Sequence, residues 1–251
     1  MAKSKRKRRA SREGEPVSRY IPDPTRLEEL GASVKYYAKL RIYLSYLFLL
    51  ILLIFSSRPT LFSLLYFLIG TVFIMAGSFQ RIMSAATLVK AAKDGADTLI
   101  TTGPYKKCRH PLYFGSFLNG IGFVFLASPL GDILPATREI YVLSVPIGLF
   151  PWGFIPFLIM LLPIYIKMIR IEEEFLDAKF GPEFGAYKAL IPCFFPRWSF
   201  FKKDPEWQFD PARLKANREM KNFTWLMAVY VLFFAKMLYF LINDIRQFSG
   251  N

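Results

Sequence analysis

His110 is the only histidine in the chain, and it stands in the run richest in groups that could do chemistry, Leu99–Gly115 (LITTGPYKKCRHPLYFG). A Gly103-Pro104 turn precedes it, Tyr105 and Tyr113 flank it, and Lys106, Lys107 and Arg109 supply cations. Pro104 and Pro111 each block a helix arriving from the N-terminal side, which predicts a folded loop and a new helix near Pro111. A rigid, aromatic-flanked loop with one imidazole at a helix entrance reads as a cofactor cradle; the bland alternative is a structural hydrogen-bonder at a helix start. A second run, Arg170-Ile-Glu172-Glu173-Glu174-Phe-Leu176, puts three consecutive carboxylates where an apolar stretch ends, unusual in a chain of net charge +14. On a helix these acids project about 100° apart, so one or two can turn inward while the rest stay solvated beside Arg170 or Lys179.

The elements that must position these groups are membrane helices. The chain has 251 residues, is 53% hydrophobic and holds 26 Phe, too apolar for a soluble domain of ordinary make-up. About 20 apolar residues suffice to cross a bilayer, and the runs near Leu40–Phe55, Thr60–Phe79, Leu112–Ala127 and Phe223–Ile242 qualify. A further run, Ile140–Ile169, carries Pro146, Pro151, Pro156 and Pro163 and must be kinked, tilted or partly re-entrant. The expectation is an all-α polytopic membrane bundle of about five transmembrane helices with a cytoplasm-facing cofactor site. Lys and Arg number 12 in residues 1–41, 6 in 80–111 and 10 in 170–221, while 56–59, 129–139 and 243–251 carry one each. By the positive-inside rule the amino terminus and both chemical runs face the cytoplasm.

The reading along the chain is a basic flexible arm over 1–35, a transmembrane hairpin turning at Arg58-Pro59 over 36–79, a core over 80–200, and an amphipathic segment with a final span over 201–251. The basic tail KSKRKRR at 3–9 suits topology or anionic lipid, and no nucleic-acid module follows it. The first apolar run begins only near residue 40, so no signal peptide is expected. Gln80–Lys93 reads as helical with Arg81, Lys90 and Lys93 on a wet face, broken by Asp94-Gly95. Gly115, Gly120 and Gly122 leave one helix side without bulk, for close packing or for a cofactor. Trp198, Phe200, Phe201 and Trp207 read as interface anchors. One histidine and two distant cysteines, Cys108 and Cys193, argue against a disulfide and a metal site.

Taken together, the two runs resemble the membrane methyltransferases that include isoprenylcysteine carboxyl methyltransferases and phospholipid N-methyltransferases. The resemblance covers about residues 80–197 and rests on Gly103-Pro-Tyr105, Arg109-His110-Pro111-Leu-Tyr113-Phe-Gly115, Glu172-Glu173-Glu-Phe-Leu176-Asp-Ala-Lys-Phe180-Gly181, then Tyr187 and Pro192. It implies S-adenosylmethionine as cofactor, contacted by Asp97, Thr98, Leu99, Ile100, Tyr105, His110, Pro111, Leu112, Tyr113 and Glu172. It also implies an integral, multi-pass membrane protein acting on a lipidic or prenylated substrate, with no metal. Three positions depart from the ester-forming branch: Asp97 stands where a histidine is common, Met168 where an arginine meets the substrate carboxylate, and Phe184 replaces a tyrosine.

Methyl transfer is an in-line displacement, so alignment is the enzyme's main task. A carboxylate acceptor needs only a cation to place it, and Arg109, Arg170 or Lys167 could serve. An amine acceptor must lose a proton, which Glu173 could take. Glu173, Arg109 and Arg170 are therefore the expected substrate-handling residues. A phospholipid N-methyltransferase, an NADPH-dependent sterol-type reductase and a non-catalytic membrane adaptor are the competing readings.

Overall fold

The computed structural model describes residues 20–55, 61–88, 98–127, 141–142, 145–146, 150–196 and 204–249. Its long helices are α1 (Pro24–Phe55), α2 (Leu61–Thr87), α3 (Pro111–Leu126), α4 (Phe154–Phe180) and α7 (Glu219–Ser249), with short helices α5 (Pro182–Leu190) and α6 (Pro211–Ala216) near the carboxylate run. Within α1, α2, α4 and α7 lie four stretches long and apolar enough to span a membrane; α3 is apolar but only 16 residues long. The fold is therefore an all-α polytopic bundle of an integral membrane protein, with four full-length helices and a shorter fifth among the described residues.

Local chemistry explains where the helices begin and end. The expected basic arm gives way to helix earlier than residue 35, because Pro24 can occupy a first helical position without losing a hydrogen bond. Asp23 caps it, accepting from the Thr25 N–H at 3.0 Å. The Ile140–Ile169 run divides: Tyr141–Val142 pairs with Val145–Pro146 in a two-residue antiparallel bridge, and the spanning helix starts only at Phe154. Between Pro156 and Pro163 that helix widens into a π turn at Phe157–Leu161, where proline rings interrupt the ordinary ladder. Gly181, at φ +53°, ends α4, and Pro182 opens α5. The Arg58-Pro59 turn, Lys90, Lys93 and Asp94-Gly95 lie outside the described residues.

The core joins every long helix: Phe48 and Leu52 of α1, Ile74 of α2, Phe123 and Val124 of α3, Phe157 and Leu161 of α4, and Phe233 of α7. Outward faces carry exposed apolar side chains such as Leu50, Val72, Ile159 and Val231, as a lipid-facing bundle requires. Helices α2 and α3 meet backbone to backbone. A Cβ on Gly115 would stand 2.7 Å from the Gly77 carbonyl oxygen, and one on Gly122 2.7 Å from that of Gly70. Gly120 meets the Phe157 ring instead. Gly115, Gly120 and Gly122 thus serve close packing rather than cofactor room.

The wet-face reading of Arg81 is corrected too. Its guanidinium makes two bonds to Glu219 at the start of α7 (2.7 and 2.9 Å) and one to Ser116, because α2 and α7 converge there. Trp207, expected as an interface anchor, donates its indole N–H to Thr87 Oγ1 at 2.7 Å and closes the end of α2 together with Arg213 and Asn217. Trp198, Phe200 and Phe201 lie outside the described residues.

Candidate active site

The loop before α3 is built on one glycine. Gly103 takes φ +60°, which lets a 3-10 turn form over Gly103–Lys106, and its N–H donates to Asp204 Oδ2 at 2.9 Å. Lys106 binds the other carboxylate oxygen at 3.1 Å. The Gly103 amide, reinforced by Lys106, holds the Asp204 carboxyl below its usual pKa range. Tyr187 of α5 donates to the Tyr105 carbonyl at 2.6 Å and ties the turn to the carboxylate side of the molecule.

The segment after α5 then clamps the histidine. Arg109 and His110 donate their backbone N–H groups to the carbonyls of Pro192 (2.9 Å) and Cys193 (3.2 Å). His110 sits at the N-cap of α3, with Pro111 at the first helical position, and its ring stacks 5.6 Å from that of Tyr113. The chain therefore leaves the loop with imidazole and phenol aligned on one helix end.

Glu172 and Glu173 face this loop from α4 and do different things. Glu173 accepts from Arg109 Nε at 2.8 Å, stands 3.2 Å from His110 Nε2 and 3.5 Å from Lys188 Nζ, and receives Cys193 Sγ at 3.5 Å. Arg109 spends its remaining donors on the Ile191 (2.6 Å) and Lys188 (3.1 Å) carbonyls. This is a partly buried hub that fastens α3, α4 and α5 together. Glu172 Oε2, by contrast, is buried without a hydrogen-bond partner, 3.7 Å from His110 Nδ1. The Tyr105 hydroxyl is also buried and unpartnered, and burial raises its pKa so that it stays a neutral donor. Burial pushes the Cys108 thiol up to about 12, leaving it protonated and inert.

Glu172 and Tyr105, two of the four residues with a buried unpartnered side-chain atom among those described, stand around one cavity of about 260 Å³. Its walls include Tyr105, Arg109, His110, Pro111, Leu112, Tyr113 and Glu172, and Arg41, Arg81, Glu219 and Asn222 close its far side. Those four residues also line a second cavity of about 250 Å³, whose other walls are mostly apolar: Phe48, Leu49, Phe123, Leu161, Leu226 and Val229. The two cavities adjoin, one polar and one within the helix bundle.

Of the residues expected from sequence, Tyr105, His110, Pro111, Leu112, Tyr113 and Glu172 come together at the polar cavity, with Arg109 beside them and Glu173 in the hub. Thr98 is exposed, Leu99 and Ile100 are half-buried, and none of the three lines this cavity. Asp97 lies outside the described residues. Arg170 and Lys167 are exposed on α4 and line neither cavity, because the helix turns them away from the loop. Arg41 and Glu219 are not among the residues expected from sequence, and Arg81 was expected only on a wet face. Their signal was available: an arginine one residue inside an apolar run, and an acid opening another, are charged groups at membrane depth.

Comparison with known proteins gives distant similarity. The chain is 29% identical over 136 residues to the cobalt-zinc-cadmium resistance protein CzcN of Cupriavidus metallidurans, covering 54% of this chain and 52% of that protein. It is 30% identical over 134 residues to the nickel-cobalt-cadmium resistance protein NccN of Alcaligenes xylosoxydans xylosoxydans, covering 53% and 52%. It is 28% identical over 131 residues to the protein-S-isoprenylcysteine O-methyltransferase of Saccharomyces cerevisiae, covering 49% and 46%. The chain thus spans about half the length of these relatives. No family model and no solved structure matches it.

Proposed function

We propose that this membrane protein is an S-adenosylmethionine-dependent methyltransferase whose acceptor is lipidic, a prenylcysteine-like carboxylate. One observation carries the reading: Glu172 Oε2 and the Tyr105 hydroxyl, both buried and unpartnered, converge with the stacked His110 and Tyr113 rings at one cavity. A buried polar atom without a partner costs about 1–3 kcal/mol, so these atoms fit a ligand that completes them. Carboxylate and aromatic faces suit a sulfonium cation, and a neutral phenol suits an acceptor atom on the same molecule. When bound, the cofactor supplies an activated methyl group.

The chain's residues then orient and exclude water. Tyr105, His110, Tyr113 and Glu172 would hold the cofactor, which would supply an electrophilic methyl group, and an acceptor carboxylate, already ionised, would need no residue to take a proton. The hub geometry favours such an acceptor: Glu173, the residue that could deprotonate an amine, is already held by Arg109, His110 and Lys188. Positioning and dehydration can supply several kcal/mol of the barrier. The cation distribution along the chain supports a cytoplasmic cofactor side and amino terminus.

The resistance proteins suggest a second reading, metal binding. His110, Glu173 and Cys193 offer ligand atoms within 4.8 Å of one another. Arg109 and Lys188 already neutralise that carboxylate and would repel a divalent ion, so the methyltransferase reading stands better.

The test is transfer of labelled methyl from S-adenosylmethionine by the protein in lipid nanodiscs, offered a farnesyl thioether of N-acetylcysteine or a phosphatidylethanolamine. Label released as methanol by base identifies an ester and supports the reading. Base-stable label in the phospholipid, or no transfer to either, overturns it.

A further inference from the structure

Among the described residues, one cation lining the apolar cavity is left to spare. Four arginines stand near the two cavities or were expected to serve them, and three are accounted for. Arg81 spends its donors on Glu219 and Ser116. Arg109 spends its own on Glu173 and two carbonyls. Arg170 is exposed and lines neither cavity. Arg41, on α1, lines both cavities, and no carboxylate among the described residues pairs with it.

Aromatic rings hold Arg41 instead. Its guanidinium carbon lies 4.9 Å from the Tyr113 ring centroid and 5.6 Å from that of Tyr165, and the two rings meet edge to face at 6.0 Å. Stacking uses the faces of a guanidinium and leaves its N–H donors free in the plane, so the group is fixed in place while its hydrogen-bonding edge stays open. Tyr113 also stacks on His110, so the same ring couples this cation to the cofactor end of the site. On the other side begin the apolar walls of Phe48, Leu49, Phe123, Leu161, Leu226 and Val229.

We propose that Arg41 holds the anionic head of the acceptor, a carboxylate whose apolar tail lies in the cavity between α1, α3, α4 and α7. The inference rests on the methyltransferase reading and deepens it: α1 provides the positioning cation. A carboxylate matches a guanidinium edge with two parallel hydrogen bonds, and beside Tyr113 its oxygen is held next to the cofactor cavity. Arg41 also disfavours an ammonium head at the same point by like charge.

The experiment uses the full chain in nanodiscs, with the farnesyl thioether of N-acetylcysteine and its uncharged primary carboxamide as probes. Binding of each is measured by calorimetry, alongside methyl-transfer kinetics and S-adenosylmethionine binding. For Arg41→Gln the expected result is carboxylate binding weakened, and KM raised, by about 10- to 100-fold, the range of a charge-assisted hydrogen-bond pair. Carboxamide and cofactor binding are retained. Arg41→Lys keeps the charge without the fork and falls between. Cofactor binding by each variant shows that it is folded. Equal loss of carboxylate and carboxamide binding, or no change in either, overturns the role of Arg41 while leaving the methyltransferase reading intact. Failure of the unsubstituted protein to bind S-adenosylmethionine overturns that reading itself.

Discussion

Replacing Glu173 separates a clamp from a base. Its carboxylate lies 2.7 Å from Arg109 Nη2, and the two side chains are 13% and 10% exposed. Removing one member of a buried pair costs about 3–5 kcal/mol, and of an exposed pair at most about 1 kcal/mol. At this burial Glu173→Ala should cost about 2–4 kcal/mol, since Arg109 keeps only its carbonyl partners and His110 loses an anchor. For a chain of this size that lowers the unfolding temperature by roughly 5–15 °C. Thermal unfolding in detergent, followed by circular dichroism, measures it. Glu173→Gln keeps an acceptor oxygen and should lose about half as much. The double variant Glu173→Gln/Arg109→Met should be less destabilised than the sum of the singles, because no unpaired charge remains. Unchanged unfolding in Glu173→Ala, together with a methyl-transfer rate that collapses in a pH-dependent way, would refute the clamp and restore Glu173 as a base.

Other perturbations test the supporting parts. Gly103→Ala must place a side chain at φ +60° and against the Trp207 ring, so it should cost more than the roughly 1–2 kcal/mol of the backbone alone and weaken cofactor binding; calorimetry and thermal unfolding report both. Gly115→Leu should separate α2 from α3 and lower the unfolding temperature, whereas Gly185→Ala, with open space around its Cβ, should not. The depressed pKa of Asp204 contributes stability above the ordinary carboxylate value of about 3.9 and loses it as pH falls through the lower folded value. Asp204→Asn should flatten that acid limb in unfolding temperature against pH. Cys108 is fully buried with its pKa near 12, so a maleimide at neutral pH should label half-buried Cys193 and spare Cys108, as peptide mass mapping would show.

Much of the architecture is written in the linear pattern. Apolar runs gave the long helices, Pro111 the start of α3, and Gly181-Pro182 the break between α4 and α5, because each depends on local sterics. The loop and carboxylate runs announced themselves by composition, and the structure brings Tyr105, His110, Tyr113 and Glu172 to one cavity. What stayed hidden depends on how distant helices cross. The Arg81–Glu219 pair joins residues 138 apart, and no local rule sets that meeting. Composition alone does not separate Glu172 from Glu173; the family resemblance assigned the first to the cofactor and the second to the substrate, and the structure has Arg109 and Lys188 on Glu173 while Glu172 faces a cavity. The exposure of Arg170 has the same origin, since a helix fixes spacing but not which face meets a loop arriving from elsewhere.

The most direct test of the account is calorimetric titration of the detergent-purified protein with S-adenosylmethionine, beside Glu172→Gln and His110→Ala. The account predicts saturable binding by the intact protein, lost in both variants, with Glu172→Gln unfolding near the original temperature and His110→Ala, which removes a buried partner of Glu173, unfolding several degrees lower but still cooperatively. No binding by the intact protein, or binding of NADPH in its place, would contradict it.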